Sequence, residues 1–316
     1  KDVLIFIQEF YEKNHNGTLK IEDIKVNAIK DFPNLNFKLL GLEHTNFDTI
    51  YNKRTDLKSS EVEIILTLAD VFTKHLRLKK IRLKDMQYVS IIEKGKPESF
   101  YADIKRAKQE APNMPFVLPS WLHENKIKIQ FKNIDVQIID SVLNKAFHFT
   151  IHDFKSTVKA NDEIITGKNN MEVSIHKLGF NLDKGTFFNG ALIQGTYDFR
   201  FNLHEQTIAL TPFDLFIDDQ KFLLAADFNL SNGAQYNFDL VNDNTNLKAT
   251  KALLPNNISK KLVDYQLDKP LKTHLKLKGQ FAYKDNPVVK VDFSTESNTF
   301  IFKEAFPISD ITFTGH

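Results

Sequence analysis

Five times along the chain the apolar residues follow one spacing: apolar-x-apolar, two polar positions, then apolar-x-apolar. The instances are Leu19, Ile21, Ile24, Val26; Leu76, Leu78, Ile81, Leu83; Ile129, Phe131, Ile134, Val136; Val173, Ile175, Leu178, Phe180; and Ile208, Leu210, Phe213, Leu215. Alternation with period two marks a β-strand with one apolar face. The three-residue step in the middle reverses parity. A β-bulge absorbs that reversal, because one extra residue keeps both halves of the strand facing the same way while bending it. Bulges or sharp bends are therefore expected near Glu22–Asp23, Lys79–Lys80, Lys132–Asn133, His176–Lys177 and Thr211–Pro212. Many long, one-sided, bent strands specify a strongly curved sheet with an apolar concave side, a shape suited to holding something apolar.

The strands read at about Leu19–Ile29, Leu35–His44, Glu61–Leu68 and Leu76–Ile92, and again from Asn125 to Leu240. In that second stretch short polar turns such as Asp183-Lys-Gly185 and Asp218-Asp219 join antiparallel neighbours. Further strands follow at Leu271–Tyr283 and Val288–Ser294, with one or two to the end. Roughly a dozen strands exceed what an ordinary open sheet carries flat, so the sheet closes, folds over or curls. Helical spacing marks Asp2–Lys13, Ser99–Ala111 and Asn244–Leu254, and Ile258–Leu267 is short helix or irregular. The N-terminal helix is either an amphipathic cap on the sheet or a segment at a membrane surface. Residues 1–92 thus carry a helix and the first strands. Residues 93–123 form a helix-bearing, proline-rich insertion with Pro112, Pro115 and Pro119. Residues 124–316 continue the strands, with a helical insertion near 244–267. The strand pattern is the same on both sides of the insertion, so the expectation is one continuous domain. A start at Lys1 without Met and an end in mid-strand suggest a piece of a longer protein.

Composition narrows the function. The 42 basic and 40 acidic residues nearly cancel, which gives no reason to expect nucleic acid as a partner. With no cysteine, thiolate zinc sites, disulfides and a cysteine nucleophile are excluded. Phosphate-binding loops, nucleophile elbows and zinc-protease motifs are missing, so neither an enzyme nor a cofactor is expected. His148 and His152, four residues apart on a strand, stand about 13 Å from each other and cannot share one ion; both read as exposed histidines on the polar side. The basic stretch from Lys74 to Lys84 falls opposite Leu76, Leu78, Ile81 and Leu83, as a solvated outer face would. The apolar floor is expected from Ile129, Phe131, Ile134, Val136, Phe147, Phe149, Ile151, Val173, Ile175, Leu178 and Phe180, set side by side by antiparallel pairing and in contact with lipid acyl chains.

Several stretches carry a resemblance. The run from Gly17 to His44 (GTLKIEDIKVNAIKDFPNLNFKLLGLEH), with its Phe32-Pro33 break, resembles the start of the AsmA-like family, relatives of TamB and YhdP within the repeating β-groove superfamily of bridge-like lipid carriers. Leu76 to Ile91 (LRLKKIRLKDMQYVSI) is similar to that family's next strand. Ile127 to Asp140 (IKIQFKNIDVQIID) looks like the strand opening its second half. Ala252 to Phe281 (ALLPNNISKKLVDYQLDKPLKTHLKLKGQF) resembles its Leu-Pro helix and Gly-bearing strand. The resemblance implies a long, strongly curved antiparallel sheet forming an open groove or taco. It also implies a non-enzymatic lipid carrier of the bacterial periplasm, anchored to the inner membrane through a preceding segment, with phospholipid or another acyl lipid as its ligand. Envelope proteins are possible partners. The alternative is a structural or regulatory envelope protein that assists outer-membrane protein assembly through protein contacts, without a lipid channel.

Overall fold

The chain was analysed in a computed structural model, which describes residues 11, 17–28, 32–49, 52–67, 78–94, 126–231, 235–280, 288–303 and 306–315. The expected N-terminal helix, apart from Tyr11, lies outside the described residues, as do the Ser99–Ala111 helix and the proline-rich stretch. Every described strand belongs to one curved, unclosed 16-stranded sheet. The strands are β1 (Thr18–Lys20), β2 (Asp23–Asn27), β3 (Asn34–Asp48), β4 (Lys53–Thr67), β5 (Leu78–Ile92), β6 (Lys126–Asp140), β7 (Lys145–Ala160) and β8 (Ile164–Gly179). They continue as β9 (Ala191–Asn202), β10 (Thr207–Ile217), β11 (Gln220–Asn229), β12 (Gln235–Thr245), β13 (Tyr265–Leu267), β14 (Leu271–Gln280), β15 (Val288–Phe302) and β16 (Ile308–Gly315). Helices α1 (Leu247–Leu253) and α2 (Asn256–Leu262) lie between β12 and β13. Asn246 caps α1, its side chain accepting from the Ala249 N–H, and Pro255 separates the two helices. The helical spacing at Asn244 and Thr245 is overridden: both residues end β12.

The sheet is not wholly antiparallel, which corrects the expectation. β5 and β6 run parallel, from Lys80 opposite Lys128 to Ile92 opposite Asp140. Residues 93–125 join them, and a parallel neighbour requires a connection of a dozen residues or more rather than a hairpin. The remaining pairs are antiparallel. Towards either end of the sheet two strands share one edge of a longer neighbour. β1 and β2 both lie against β3 on the side away from β4. β13 and β14 both lie against β15 on the side away from β16. The second gap is filled by Asn298, fully buried, whose amide accepts from the Lys269 N–H and donates to the Lys269 carbonyl and the Thr295 hydroxyl.

Each expected parity switch coincides with an irregularity. The β1–β2 break occupies Ile21–Glu22. Lys79 is the extra residue of β5 against β4, and Asn133 has a left-handed backbone with φ of 54°. His176 is the extra residue of β8 against β7. β10 carries an excess at Thr211–Pro212 against both neighbours, where proline's missing N–H is not required by a ladder.

Asn133 belongs to a longer feature. Across β3 to β7 the ladder skips Gly41, Ser60, Asp85, Asn133 and His152, which lie in one row. Gly41, Asp85 and Asn133 are left-handed, with φ of 59°, 49° and 54°, a conformation that glycine, asparagine and aspartate tolerate best. The row is stitched by hydrogen bonds: the Asn133 amide donates to Asp85 at 2.9 Å, and Ser60 donates to Asp85 at 3.2 Å. On both sides of this fold line the apolar residues face the same way. Leu39, Val62, Leu83, Phe131 and Phe154 form one row, and Leu42, Ser59, Met86, Ile134 and Ile151 form the next.

The opposite face is polar and ion-paired. Glu63, 6 % exposed, accepts from the Asn36 amide at 2.9 Å and from Lys80 Nζ at 3.0 Å. Burial pushes its carboxyl up, but the bonds from Asn36 and Lys80, with the charges of Lys80 and Lys38, outweigh burial and hold it below its ordinary 4.5. A carboxyl depressed on folding contributes stability above its unfolded value and loses it as pH falls through the folded value. Glu63→Gln should therefore have a lower Tm than the wild type at neutral pH and a flatter Tm profile through the acid range, as read by circular dichroism. Gly41→Ala tests the fold line. It forces a left-handed alanine and brings its Cβ against Glu22, and urea unfolding should show a loss of about 1–2 kcal/mol.

Candidate functional site

Cross-strand register turns the one-sided strands into one largely apolar face, interrupted by the buried Ser59, Ser156 and Asn169. One row crosses β3 to β10 through Leu42, Ser59, Met86, Ile134, Ile151, Val173, Ile193 and Ile217. Beside it run Leu57, Tyr88, Val136, Phe149, Ile175 and Ala191, and then Ile138, Phe147 and Leu178. Across the fold line, Phe131 and Phe154 stack with ring centroids 5.3 Å apart, and the row continues through Met171 and Gly195 to Leu215 and Phe222. Phe199 lies over Gly167 so closely that a Cβ there would come within 2.2 Å of the ring. This glycine leaves room for an aromatic on the same face.

The expected floor residues therefore share one face. Ile134 is buried; Ile129, Phe131, Val136, Phe147, Phe149, Ile151, Val173, Ile175 and Leu178 are half-buried. Phe180 departs from the rest. It lies just past the end of β8, 52 % exposed, with its ring 5.5 Å from Phe147 and 6.4 Å from Phe187. No second sheet covers this face among the described residues, since all their strands are in one sheet. Near the C-terminal edge the rows of β14 and β15 end on Val289 and Val291, 55 % and 37 % exposed.

One part of the face is covered by the chain itself. Leu253 of α1 is buried among Ala191, Phe213, Leu215, Ile217 and Phe222, with Phe188 packed alongside. The Phe188 N–H donates to the Leu253 carbonyl at 2.8 Å, tying the β8–β9 loop to the helix. The spacing within 244–254 identifies a helix but not the strands that receive it. Leu253→Ala should leave a cavity against β9–β11 and cost about 2–4 kcal/mol in urea unfolding.

The polar face holds a group that strand spacing alone does not reveal. Asp135 on β6 lies opposite Thr150 on β7, and His148, two residues before Thr150 and so on the same face, lies opposite Gln137. The bulge at His176 turns both His176 and Lys177 outward, because Ile175 and Leu178 must both face the apolar side. His148 Nε2 is 2.8 Å from Asp135 Oδ2, Thr150 donates to that carboxylate at 3.2 Å, and His176 Nε2 is 2.7 Å from the Thr150 hydroxyl. The two imidazole centroids are 4.5 Å apart. Burial pushes the Asp135 carboxyl up, yet hydrogen bonds from His148, Gln137 and Thr150 and the His148 charge hold it below the usual carboxylate range. His148 and His152 are thus half-buried and engaged, not simply exposed; His152, the extra residue of β7 against β8, meets the Ser174 hydroxyl at 2.7 Å. Of the basic stretch, Lys74 to Arg77 lie outside the described residues; Lys80, Arg82 and Lys84 lie on the polar face but are half-buried rather than fully solvated, and Lys80 pairs with Glu63.

No family model matches the chain, and no curated protein matches it.

Proposed function

We propose that the protein is a non-enzymatic lipid carrier whose curved sheet is an open groove, with acyl chains of phospholipid or a similar lipid lying on its apolar face. The observation that supports this is the face itself. Apolar rows run in register from β3 to β10, many of their side chains stay only half-buried, and no second sheet covers them among the described residues. Apolar surface left in water costs about 25 cal/mol per Å², and exposed patches of this kind mark binding surfaces. The ladder is interrupted along the fold line while the apolar rows continue on the same face beyond it, which suits a trough along which chains slide. The resemblance to the AsmA-like family extends the proposal to place: the bacterial periplasm, with an inner-membrane anchor preceding these residues and lipid passing toward the outer membrane.

A second reading draws on a different observation. Leu253 and Phe188 fill the face over β9–β11 with the chain's own side chains. If the rest is filled likewise, the protein acts as a structural or regulatory envelope component through protein contacts.

Phe149→Asp and Val173→Asp separate the two. A groove open to lipid accommodates either aspartate with little loss of fold, and co-purified phospholipid measured by mass spectrometry should fall severalfold. A packed interior buries an unpaired carboxylate, which costs several kcal/mol, and both variants should lose their folding transition. Wild-type lipid content in stable variants would also exclude the groove.

A further inference from the structure

We propose that Asp135, His148 and His176 form a three-ligand site for a zinc-class divalent cation on the polar face. Their ligand atoms already lie within 4.8 Å of one another, one from each of the adjacent strands β6, β7 and β8. Zinc is held at about 2 Å by imidazole nitrogen and carboxylate oxygen, which puts tetrahedral donors a little over 3 Å apart. Small side-chain rotations close the remaining distance, and the side chains on this outer face have room to make them. In the unmetallated arrangement the same atoms are linked by hydrogen bonds, Asp135 Oδ2 to His148 Nε2 and, through Thr150, to His176 Nε2. An ion would replace the protons that hold these groups together.

The backbone supports the site in two ways. His176 reaches this face because it is the extra residue of the β8 bulge. A regular ladder that kept Ile175 inward would also present a residue here, but only the bulge places two consecutive residues outward beside His148. Asp135 is further oriented by Gln137, whose amide donates to its other oxygen at 3.2 Å, the kind of supporting bond that fixes a ligating carboxylate. Two imidazoles and one carboxylate favour zinc and its transition-metal neighbours over magnesium or calcium, and three protein ligands leave a coordination position for water. An ion here would clamp β6, β7 and β8 together at the bulge, behind the apolar rows that contain Val136, Phe149 and Ile175. The site does not depend on what lies on that other face.

The test uses the untagged chain stripped with a chelator. Co2+ should bind as one ion per chain with visible absorption, Zn2+ should displace it, and Mg2+ should not. Zn2+ should also raise Tm, since an ion bound only by the folded chain stabilises it. His176→Ala and Asp135→Asn should each weaken Zn2+ binding at least about ten-fold, while His152→Ala should leave it unchanged. Because His176 sits in a bulge, His148→Gln repeats the test in a regular part of the ladder, with circular dichroism confirming the fold. Absence of Co2+ and Zn2+ binding in the wild type would overturn the proposal, as would affinity that survives both His176→Ala and His148→Gln.

Discussion

The structure depends on a conflict between side-chain alternation and curvature. A strand presents alternate residues to opposite faces, so a sharp bend made by adding or skipping a residue would turn half of each strand inside out. This chain resolves the conflict by bending where its sequence also reverses parity. Gly41, Ser60, Asp85, Asn133 and His152 skip the ladder together, and the apolar rows resume on the same face beyond them. Past β7 the device is distributed: the reversal moves to His176 on β8 and to Thr211–Pro212 on β10, while β9 runs without one. Bend and face are set by the same residues.

Two consequences follow for the rest of the molecule. The strands are long, about 50 Å for fifteen residues, and with the rows kept in register one face of the sheet is a long, largely apolar strip. The other face carries the charges, and there the buried members are satisfied in pairs, as Glu63 is by Asn36 and Lys80. The bulges also deliver polar residues in adjacent pairs to the outer face. That is how His176 arrives beside His148, so the apolar strip and the histidine–aspartate cluster have one structural cause.

Much of this could be read from the residues. Ile129-x-Phe131 followed by Ile134-x-Val136 names both a strand and its bend, since two outward polar residues separate two inward pairs. The same logic succeeds at Lys79, His176 and Pro212. It misses Gly41 and Asp85. Leu39-Leu40-Gly41-Leu42 has apolar residues on both parities and gives no clean doublet. Lys84-Asp85 does separate Ile81-x-Leu83 from Met86-x-Tyr88, but the spacing around Lys79–Lys80 in the same strand draws the reading to the earlier step. The parallel pairing of β5 with β6 is also hidden, because each strand's own pattern is indifferent to its neighbour's direction. Asp135 and His176 are 41 positions apart in sequence (176 minus 135) and meet only through two cross-strand registers. Leu253 is legible as part of a helix, but its burial against Phe213 and Phe222 is a tertiary fact.

The central claim is that one face of this sheet is open to acyl chains and the other is not. The chain has no cysteine, so single cysteines can carry an environment-sensitive fluorophore at neighbouring positions that alternate between faces. Val136 and Gln137 are one such pair, and Ile151 and Thr150 another. Titration with phospholipid brominated on its acyl chains should quench the label at 136 and 151 and leave that at 137 and 150 largely unaffected. Equal quenching on both faces, or none on either, would contradict the account.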